Sequence, residues 1–205
     1  MAFATSPEGA PLPTSVKIVV AGGFGVGKTT LVSAVSEIPP VNTEAWMTQA
    51  SKTVDAVYTD DDKTTTTVAM DFGRITLSQD LLLYLFGTPG QARFWQMWDD
   101  LCRGASGAVV LVDTRRLDAS FAAVNYFEND TDVPFIVGVN LFDGVQTHAL
   151  DEVREALRLS KNVPLIACDA RDRQSVVQTL VTALTHSLEV ASANAAGEQG
   201  TLARR

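Results

Sequence analysis

The 205-residue sequence is poor in cysteine and histidine, and it carries no excess of positive charge. Two cysteines, Cys102 and Cys168, are too few for a disulfide framework or a CxxC metal site, so we expect buried free thiols in a reducing cytoplasm. His148 and His186 stand apart in the sequence, and we assign them no chemistry. The formal net charge of −8 opposes broad binding to nucleic acid or to an anionic membrane.

Signals for membrane attachment are also missing. The chain does not open on a basic segment followed by an apolar one, and none of its apolar runs approaches the roughly 20 residues of a membrane helix. Ala2 stands where N-myristoylation requires glycine, and Thr201–Arg205 contains no cysteine for prenylation. We therefore expect a cytoplasmic protein with no direct membrane insertion and no lipid anchor, which reaches a membrane only if a partner recruits it.

Composition divides the chain into one domain and two tails. Hydrophobic residues make up 46% of the sequence, which is enough for a sizeable core. Residues 1–14 are rich in proline and residues 191–205 are rich in small and polar residues, so both are predicted to be disordered. A single domain is therefore expected over residues 15–190.

Short apolar runs alternate with segments of helical character inside this domain. Four runs are predicted to be buried parallel strands: Val16–Ala21, Ala108–Val112, Phe135–Val139 and Leu165–Ala167. Two further runs, Thr67–Leu77 and Leu81–Phe86, are separated by three polar residues and predict an antiparallel hairpin. The predicted helices are Lys28–Glu37, Gln91–Arg103, Leu117–Phe127, Ala149–Ser160 and Arg173–Val190. This alternation predicts an α/β fold, with a mostly parallel sheet of about six strands and one antiparallel edge strand.

The strongest motif follows the first predicted strand. Gly22–Thr29, which we call the phosphate loop, matches G-x-x-x-x-G-K-[ST], in which backbone N–H groups and a helix N-terminus surround phosphate oxygens. Lys28 would place its charge beside the β- and γ-phosphates, and the Thr29 hydroxyl would bind Mg²⁺. The motif predicts a nucleoside triphosphate site in the three-layer P-loop NTPase fold, without separating ATP from GTP. Its candidate nucleotide-binding residues are Gly22, Gly25, Val26, Gly27, Lys28, Thr29 and Thr30.

A second motif follows another predicted strand. Asn140–Asp143, which we call the base loop, resembles the N-K-x-D motif of GTPases. The Asp143 carboxylate can accept hydrogen bonds from guanine N1–H and the exocyclic amine, whereas adenine presents the opposite pattern, and Asn140 would tie this loop to the phosphate loop. Leu141 replaces the usual lysine, so we expect weaker binding with specificity retained. An ordinary Asn/Asp turn is the alternative interpretation.

The long segment Ile38–Thr66 has no strong period, although Val54–Tyr58 is a candidate for a short extra strand. Loops of this length are usually functional or mobile. The residues that follow, Thr67–Phe72, resemble the T-I-G-V-D-F stretch of a GTPase switch I. Thr67 is therefore the candidate that binds Mg²⁺ and contacts the γ-phosphate, with Thr66 as the alternative, while a polar strand start without such a role also fits the pattern.

The segment Gly87–Gln91 resembles the D-T-A-G-Q element of a GTPase switch II. Gly90 would sense the γ-phosphate through its backbone N–H, and Gln91 would orient the attacking water. Gly87 stands where the Mg²⁺-linked Asp is expected, and Asp71 is a candidate to help through a water molecule. We therefore expect intrinsic hydrolysis to suffer more than binding.

Four motifs follow predicted parallel strands: Gly22–Thr29, Gly87–Gln91, Asn140–Asp143 and Cys168–Arg171. The last of them resembles an S-A-K loop, in which the backbone N–H at Ala170 would meet guanine O6. The carboxyl ends of parallel strands share one edge of a sheet, so four patterns scattered along the chain predict a single site.

Residues Val16–Val190 resemble the small Ras-like GTPases, and among them the bacterial MglA-like branch, which also lacks the switch II Asp. Thr64–Gly73, Leu83–Phe94 and Val110–Leu117 are still more similar to the conservon-encoded GTPases of actinobacteria. The resemblance implies GTP or GDP and Mg²⁺ as ligands. It also implies work beside a Roadblock-type regulator and a membrane sensor kinase.

Three further residues have two interpretations each. Arg93 and Arg74 are candidates for an arginine finger in cis, or else are solvated or ion-paired. Trp95 lies directly after the switch II motif and is a candidate partner anchor, or packs within the domain.

Together the motifs predict a GTP-binding molecular switch with slow, partner-stimulated GTP hydrolysis. Gln91 would position water, while Lys28 and Mg²⁺ would stabilise charge. Two alternatives remain open. One is a GTP-binding recruitment module with no meaningful turnover, and the other is a P-loop ATPase or small-molecule kinase, which Asp143 and the lack of a lid domain oppose.

Overall fold

The computed structural model describes residues 13–39, 43–46, 67–90 and 96–202. Within these residues the strands are β1 (Thr14–Gly22), β2 (Thr43–Trp46), β3 (Thr67–Ser78), β4 (Leu81–Gly87), β5 (Gly107–Val112), β6 (Phe135–Asn140) and β7 (Leu165–Cys168). The helices are α1 (Lys28–Val35), α2 (Gln96–Cys102), α3 (Phe121–Asn129), α4 (Leu150–Leu157) and α5 (Arg173–Leu202). Two short 3₁₀ segments span Thr114–Ser120 and Phe142–Gly144. None of the helices in these ranges has the length and apolar character needed to cross a membrane.

The described strands form one sheet in the order β2-β3-β4-β1-β5-β6-β7. Strand β1 pairs in parallel with both β4 and β5, and β6 and β7 continue the parallel set. Strand β3 is antiparallel to both of its neighbours, β2 and β4. The predicted mostly parallel α/β fold is confirmed, with the predicted hairpin at β3–β4. The antiparallel strand is not the edge, however, because β2 lies outside it at residues for which no strand was predicted.

Alternation along the strands produces a layer of helices on each face of the sheet. In β1, Ile18 and Val20 join a core that includes residues of α1 and α5, whereas Val19 and Ala21 join a core that includes residues of α2, α3 and α4. Successive side chains of a strand point to opposite faces, so apolar residues throughout β1 supply both cores. This is the predicted three-layer arrangement.

Two helix boundaries differ from the predictions by more than a few residues. The predicted helix Leu117–Phe127 begins as a 3₁₀ segment, because Asp113 caps the chain directly after β5 and accepts a hydrogen bond from the Arg115 N–H. At the other end of the domain, α5 continues past Val190 to Leu202, where a disordered tail was expected. Alanines at 191–196 and the absence of proline favour continuing the helix, and this outweighs the small and polar composition. The predicted lead (except for Pro13 and Thr14) and Val54–Tyr58 lie outside the described residues.

Candidate nucleotide-binding site

The phosphate loop joins the end of β1 to the start of α1, as the motif predicts. Gly27 precedes α1 with φ 106°, a left-handed conformation that favours glycine. A Cβ at this position would lie 2.6 Å from Asn140 Nδ2, so the base loop approaches too closely for any side chain. The phosphate loop therefore depends on glycine both for its conformation and for its contact with the base loop.

Lys28 extends its side chain back along the phosphate loop. Its Nζ donates to the carbonyl oxygens of Gly22 and Gly23, at 2.8 Å each. The side chain is buried, and burial lowers the pKa of the ammonium group to about 8, although the nearby Asp71 carboxylate raises it. A buried cation held by two neutral carbonyls is poised to gain from an anionic ligand.

Thr29 and Asp71 meet beside Lys28. The Thr29 hydroxyl donates to Asp71 Oδ2 at 2.8 Å, and Asp71 lies directly opposite Gly87 in the β3–β4 ladder. A Cβ at Gly87 would lie 2.8 Å from Asp71 Oδ2. The carboxylate that the switch II motif lacks at Gly87 is thus present at the same place, supplied by the neighbouring strand.

These groups surround a cavity of about 370 Å³. Its lining residues are Phe24, Gly25, Gly27, Lys28, Thr29, Thr30, Asp71, Thr88, Pro89 and Gly90. A Cβ at Gly90 would lie 2.8 Å from Lys28 Nζ, so this part of the switch II motif closes over the phosphate loop. The structure brings together the predicted phosphate-loop residues, Gly90 and Asp71.

The donor set of this cavity fits Mg²⁺. Mg²⁺ prefers oxygen ligands and keeps several waters, so one hydroxyl and one carboxylate suffice beside substrate phosphates. Thr29 and Asp71 provide that pair. No group of three or more His, Cys, Asp or Glu side chains capable of holding a metal occurs within the described ranges.

Asn140 connects the base loop to both neighbouring loops. Its buried Nδ2 donates to the Val26 carbonyl at 2.8 Å, and its Oδ1 accepts from the Ala170 N–H at 3.1 Å. One side chain therefore links the phosphate loop, the base loop and the loop after β7. The arrangement follows from the parallel order of β1, β5, β6 and β7, whose carboxyl ends share an edge.

Asp143 projects from the base loop into solvent, with 89% of its side chain exposed. Its backbone has φ 61°, which Asp tolerates better than most residues. Arg171 Nη1 lies 3.2 Å from Asp143 Oδ1, and the same guanidinium pairs with Asp169. This ion pair was not predicted, since no short motif pairs the fourth residue of one loop with the fourth residue of another.

A group that the sequence analysis missed lies after β5. Asp113 is buried and is held by Arg115 through two side-chain hydrogen bonds of 2.9 Å. Arg116 donates to the Phe24 carbonyl in the phosphate loop at 3.0 Å. One signal could have found this group: D-T-R-R directly follows a buried parallel strand, at the same sheet edge as the other motifs.

Other predicted residues stand apart from this cluster or cannot be placed in it. Thr67 begins β3, about 13 Å along the strand from Asp71 at 3.3 Å per residue, so its backbone does not join the Thr29–Asp71 pair. Arg74 is an odd number of residues from Asp71 and belongs to the opposite face of β3. Thr66, Gln91, Arg93 and Trp95 lie outside the described residues.

Two solved structures of the cytosolic domain of the T. maritima FeoB iron transporter are similar to this chain. The GDP form I matches with a TM-score of 0.60 and 16% identity over 87% of this chain and 65% of that chain. The apo form matches with a TM-score of 0.57 and 15% identity over 85% of this chain and 64% of that chain. The likeness establishes a P-loop nucleotide-binding fold.

Sequence comparisons add a relative and a family. An uncharacterized protein of Methanocaldococcus jannaschii is 33% identical over 102 residues, which are 49% of this chain and 53% of that protein. The chain thus spans about half the length of this curated relative. The model of the family described as "Conserved hypothetical ATP binding protein" matches residues 20–190, which is most of the chain. The protein therefore belongs to this family of conserved hypothetical ATP-binding proteins.

Proposed function

We propose that the protein is a guanine-nucleotide switch that binds GTP with Mg²⁺ and hydrolyses it slowly. The observation that carries the proposal is the pair of Asn140 hydrogen bonds, to Val26 and to Ala170. They fix the base loop beside the phosphate loop, so that Asp143 lies at the same sheet edge as Lys28. A phosphate-binding loop and a carboxylate for the base are thus available to one nucleotide.

Guanine is the base that this carboxylate fits. Asp143 offers two acceptor oxygens, and guanine presents two donors, N1–H and the exocyclic amine. Arg171 holds one of these oxygens through an exposed ion pair, and exposed pairs are weak, so guanine can displace it. Leu141 would cover the face of the base by apolar contact in place of the usual lysine stem, so we expect weaker binding with specificity retained.

The residues around the phosphates support nucleotide binding more strongly than they support hydrolysis. Hydrolysis requires a water oxygen to bond to the γ-phosphorus while the bond to the β–γ bridging oxygen breaks; GDP leaves with the electron pair and the water proton passes to the released phosphate. Lys28 would stabilise charge on the phosphates, and Mg²⁺ held by Thr29 and Asp71 would neutralise part of it. Gln91 is the proposed water-positioning residue, because it directly follows Gly90 in the switch II motif.

The switch role and its partners rest on the resemblance to the MglA-like and conservon-encoded GTPases. We propose a cytoplasmic protein whose nucleotide state controls a partner, with a Roadblock-type regulator accelerating hydrolysis near a membrane sensor kinase. The carboxylate beside Thr29 comes from Asp71 in β3 and not from the position at which the switch II motif carries its Asp, and this departure supports turnover that depends on a second protein.

ATP binding is the second candidate, because the family to which the chain belongs carries that description. The Asp143 carboxylate argues against it, since adenine N1 is an acceptor that would face two acceptor oxygens. Calorimetric titration with GTP, GDP and ATP in the presence of Mg²⁺ tests both candidates. We expect GTP and GDP to bind and ATP to bind at least tenfold more weakly, roughly the cost of one mispaired hydrogen bond.

A substitution makes the base test specific. Asp143→Asn replaces one acceptor by a donor, so affinity should shift from GTP toward xanthosine triphosphate, whose C2 carries an oxygen in place of the amine. Asp151→Asn, on the exposed start of α4, is the matched control and should change nothing. Equal binding of ATP and GTP, unaffected by Asp143→Asn, would move the assignment to ATP.

Turnover is tested separately by single-turnover hydrolysis. We expect slow conversion of GTP to GDP that Gln91→Ala abolishes and that a Roadblock-type protein accelerates. Stably bound GTP after purification, with no hydrolysis under any condition, would instead indicate a recruitment module.

A further inference from the structure

The chain directly after β5 contacts both loops of the nucleotide site. Asp113 directly follows β5 and is buried, at 3% exposure. It caps the 3₁₀ segment Thr114–Ser120. The side chains of two consecutive arginines diverge from this carboxylate. A buried carboxylate requires charged partners, so its pairing with arginine is a constraint and not an incidental surface contact.

Arg115 connects the carboxylate to the base loop. Its Nε and Nη2 donate to Asp113 Oδ1 and Oδ2, each at 2.9 Å, which fixes the plane of the guanidinium. That plane lies over the Phe142 ring, with the guanidinium carbon 3.4 Å from the ring centroid. Phe142 immediately precedes Asp143, so Arg115 holds the residue next to the base carboxylate.

Arg116 connects the same carboxylate to the phosphate loop. Its Nη2 donates to the Phe24 carbonyl at 3.0 Å, and its Nε lies 3.9 Å from Asp113 Oδ2. A Cβ at Gly25 would lie 3.3 Å from Arg116 Nη2. The Arg116 backbone, with φ −145° and ψ 59°, leaves the helical path, which allows neighbouring side chains to run to different loops.

Packing around the segment reinforces both connections. A Cβ at Gly23 would lie 3.0 Å from the Ala119 carbonyl oxygen, so the 3₁₀ segment rests directly on the phosphate loop. On the other side, Thr114 and Thr147 share a hydroxyl hydrogen bond of 3.0 Å just beyond the base loop.

The Asp113 carboxyl is held in its charged form. Burial raises its pKa, but the hydrogen bonds and the charge of Arg115 outweigh the effect of burial and hold that pKa below its usual range.

We propose that Asp113, Arg115 and Arg116 form a brace that sets the base loop and the phosphate loop at the spacing of one nucleotide. Arg115 is the positioning residue for base selection, and Arg116 is the positioning residue for selection of the terminal phosphate. Phe24 lines the cavity, and a Cβ at Gly90 would lie 2.8 Å from its backbone nitrogen. A shift of Phe24 should therefore also shift Gly90, whose backbone N–H is the candidate sensor of the γ-phosphate. The brace rests on the proposed guanine-nucleotide function.

The test compares two affinity ratios in the full-length protein with Mg²⁺. The ratio of GTP to inosine triphosphate reports contact with the exocyclic amine, and the ratio of GTP to GDP reports contact with the terminal phosphate. Arg115→Ala should lower the first ratio about tenfold, the loss of one charge-assisted contact, and leave the second unchanged. Arg116→Ala should do the reverse.

Additional variants separate positioning from general destabilisation. Asp113→Asn keeps an acceptor for the Arg115 N–H but loses the charge, and it should lower both ratios. Arg116→Lys should restore part of the GTP preference over GDP, because a point charge still reaches the Phe24 carbonyl. Arg103→Ala removes an arginine whose ion pair with Asp100 is exposed, and it should leave both ratios unchanged. Both brace arginines are about half exposed, so their alanine variants are expected to fold if Asp113→Asn does not.

The outcomes distinguish the brace from the function on which it rests. A wild-type protein that does not bind GTP, or does not prefer it to inosine triphosphate, overturns the proposed function and the brace with it. A wild-type protein with both preferences, whose Arg115→Ala and Arg116→Ala variants match Arg103→Ala, overturns the brace alone. A uniform loss of both ratios in both variants also overturns it, since the two arginines would then have no separate roles.

Discussion

Asp71 and Gly87 are direct cross-strand partners, and the Asp71 carboxylate fills the space that a side chain at Gly87 would need. A Cβ at position 87 would lie 2.8 Å from both Cβ and Oδ2 of Asp71. The Thr29 hydroxyl donates to that same Oδ2. Only one of the two strands can supply the acidic side chain, and here it is β3.

This exclusion predicts the behaviour of an exchange between the two positions. Asp71→Gly should weaken Mg²⁺-dependent GTP binding about 10–100-fold, as loss of a group that supports a metal usually does. Gly87→Asp alone should also weaken GTP binding, because the new side chain collides with Asp71. The double variant Asp71→Gly/Gly87→Asp should recover most of the affinity. Titrations of GTP at several Mg²⁺ concentrations measure this, and a double variant no better than Asp71→Gly would contradict the exchange.

The pairing of Asp71 with Gly87 also shows which part of the site could not be predicted from the sequence. Apolar runs and polar turns were enough to predict the β3–β4 hairpin. The pairing depends on a register shift between Thr76 and Ser78. Counted from the Ser78–Leu81 pair without that shift, Asp71 would face Thr88 and its side chain would change faces. A bulge of this kind leaves no clear sequence signal, so only a weak role for Asp71 could be predicted.

The same distinction holds for the base loop and its surroundings. Asn140 and Lys28 were predictable because strand order brings loops after parallel strands to one edge. The contacts of Arg115 and Arg171 could not be predicted, because the partners of a long side chain depend on how three separate loops pack together. The helix over 191–202 was missed for another reason: small and polar residues are compatible with a disordered tail and with an exposed helix.

Asn140→Ala should both destabilise the protein and weaken nucleotide binding. The variant leaves the Val26 carbonyl and the Ala170 N–H without the partner that each has in a buried place. A buried polar group without a partner costs about 1–3 kcal/mol, so the free energy of unfolding should fall by at least that amount. Chemical denaturation measures the loss, and calorimetry should show weaker binding of GTP and GDP alike.

Asn129→Ala provides the matched control for this variant. Asn129 is exposed at the end of α3, and its amide donates to a carbonyl one turn earlier, so its loss should be nearly neutral. Similar effects of the two substitutions would show that the Asn140 links do not organise the site.

Lys28 should make the stability of the nucleotide-free protein depend on pH. Its pKa is about 8 in the folded protein and returns to its ordinary value of 10.5 on unfolding. Between these values the unfolded chain binds the additional proton, so the free energy of unfolding should rise with pH from about 8 to 10.5. The full rise is about 3 kcal/mol, since each unit of pKa corresponds to roughly 1.4 kcal/mol.

Lys28→Met isolates this contribution, because methionine fills similar space without a titrating group. The difference in unfolding free energy between wild type and variant should shift in favour of wild type as pH rises through this range. Parallel pH profiles of the two proteins would show that the Lys28 ammonium is not destabilised by burial.

Trp98→Phe should loosen the connection between the switch II motif and the core. Trp98 is buried, its Nε1 donates to the Pro89 carbonyl at 3.3 Å, and its ring meets Tyr126 edge-on at 5.2 Å. Phenylalanine loses the donor and leaves a void, so chemical denaturation should show a loss of about 1–3 kcal/mol. Pro89 lines the nucleotide cavity, so the GTP affinity of the Trp98→Phe variant should fall as well.

Tyr126, which packs against Trp98, provides the control. Tyr126→Phe keeps the ring contact and removes the hydroxyl that bonds to Asp99 and Cys102, away from Pro89, so it should cost about 1–2 kcal/mol and leave GTP affinity intact. Equal effects of the two variants on GTP affinity would mean that the Trp98–Pro89 hydrogen bond does not position the switch II motif.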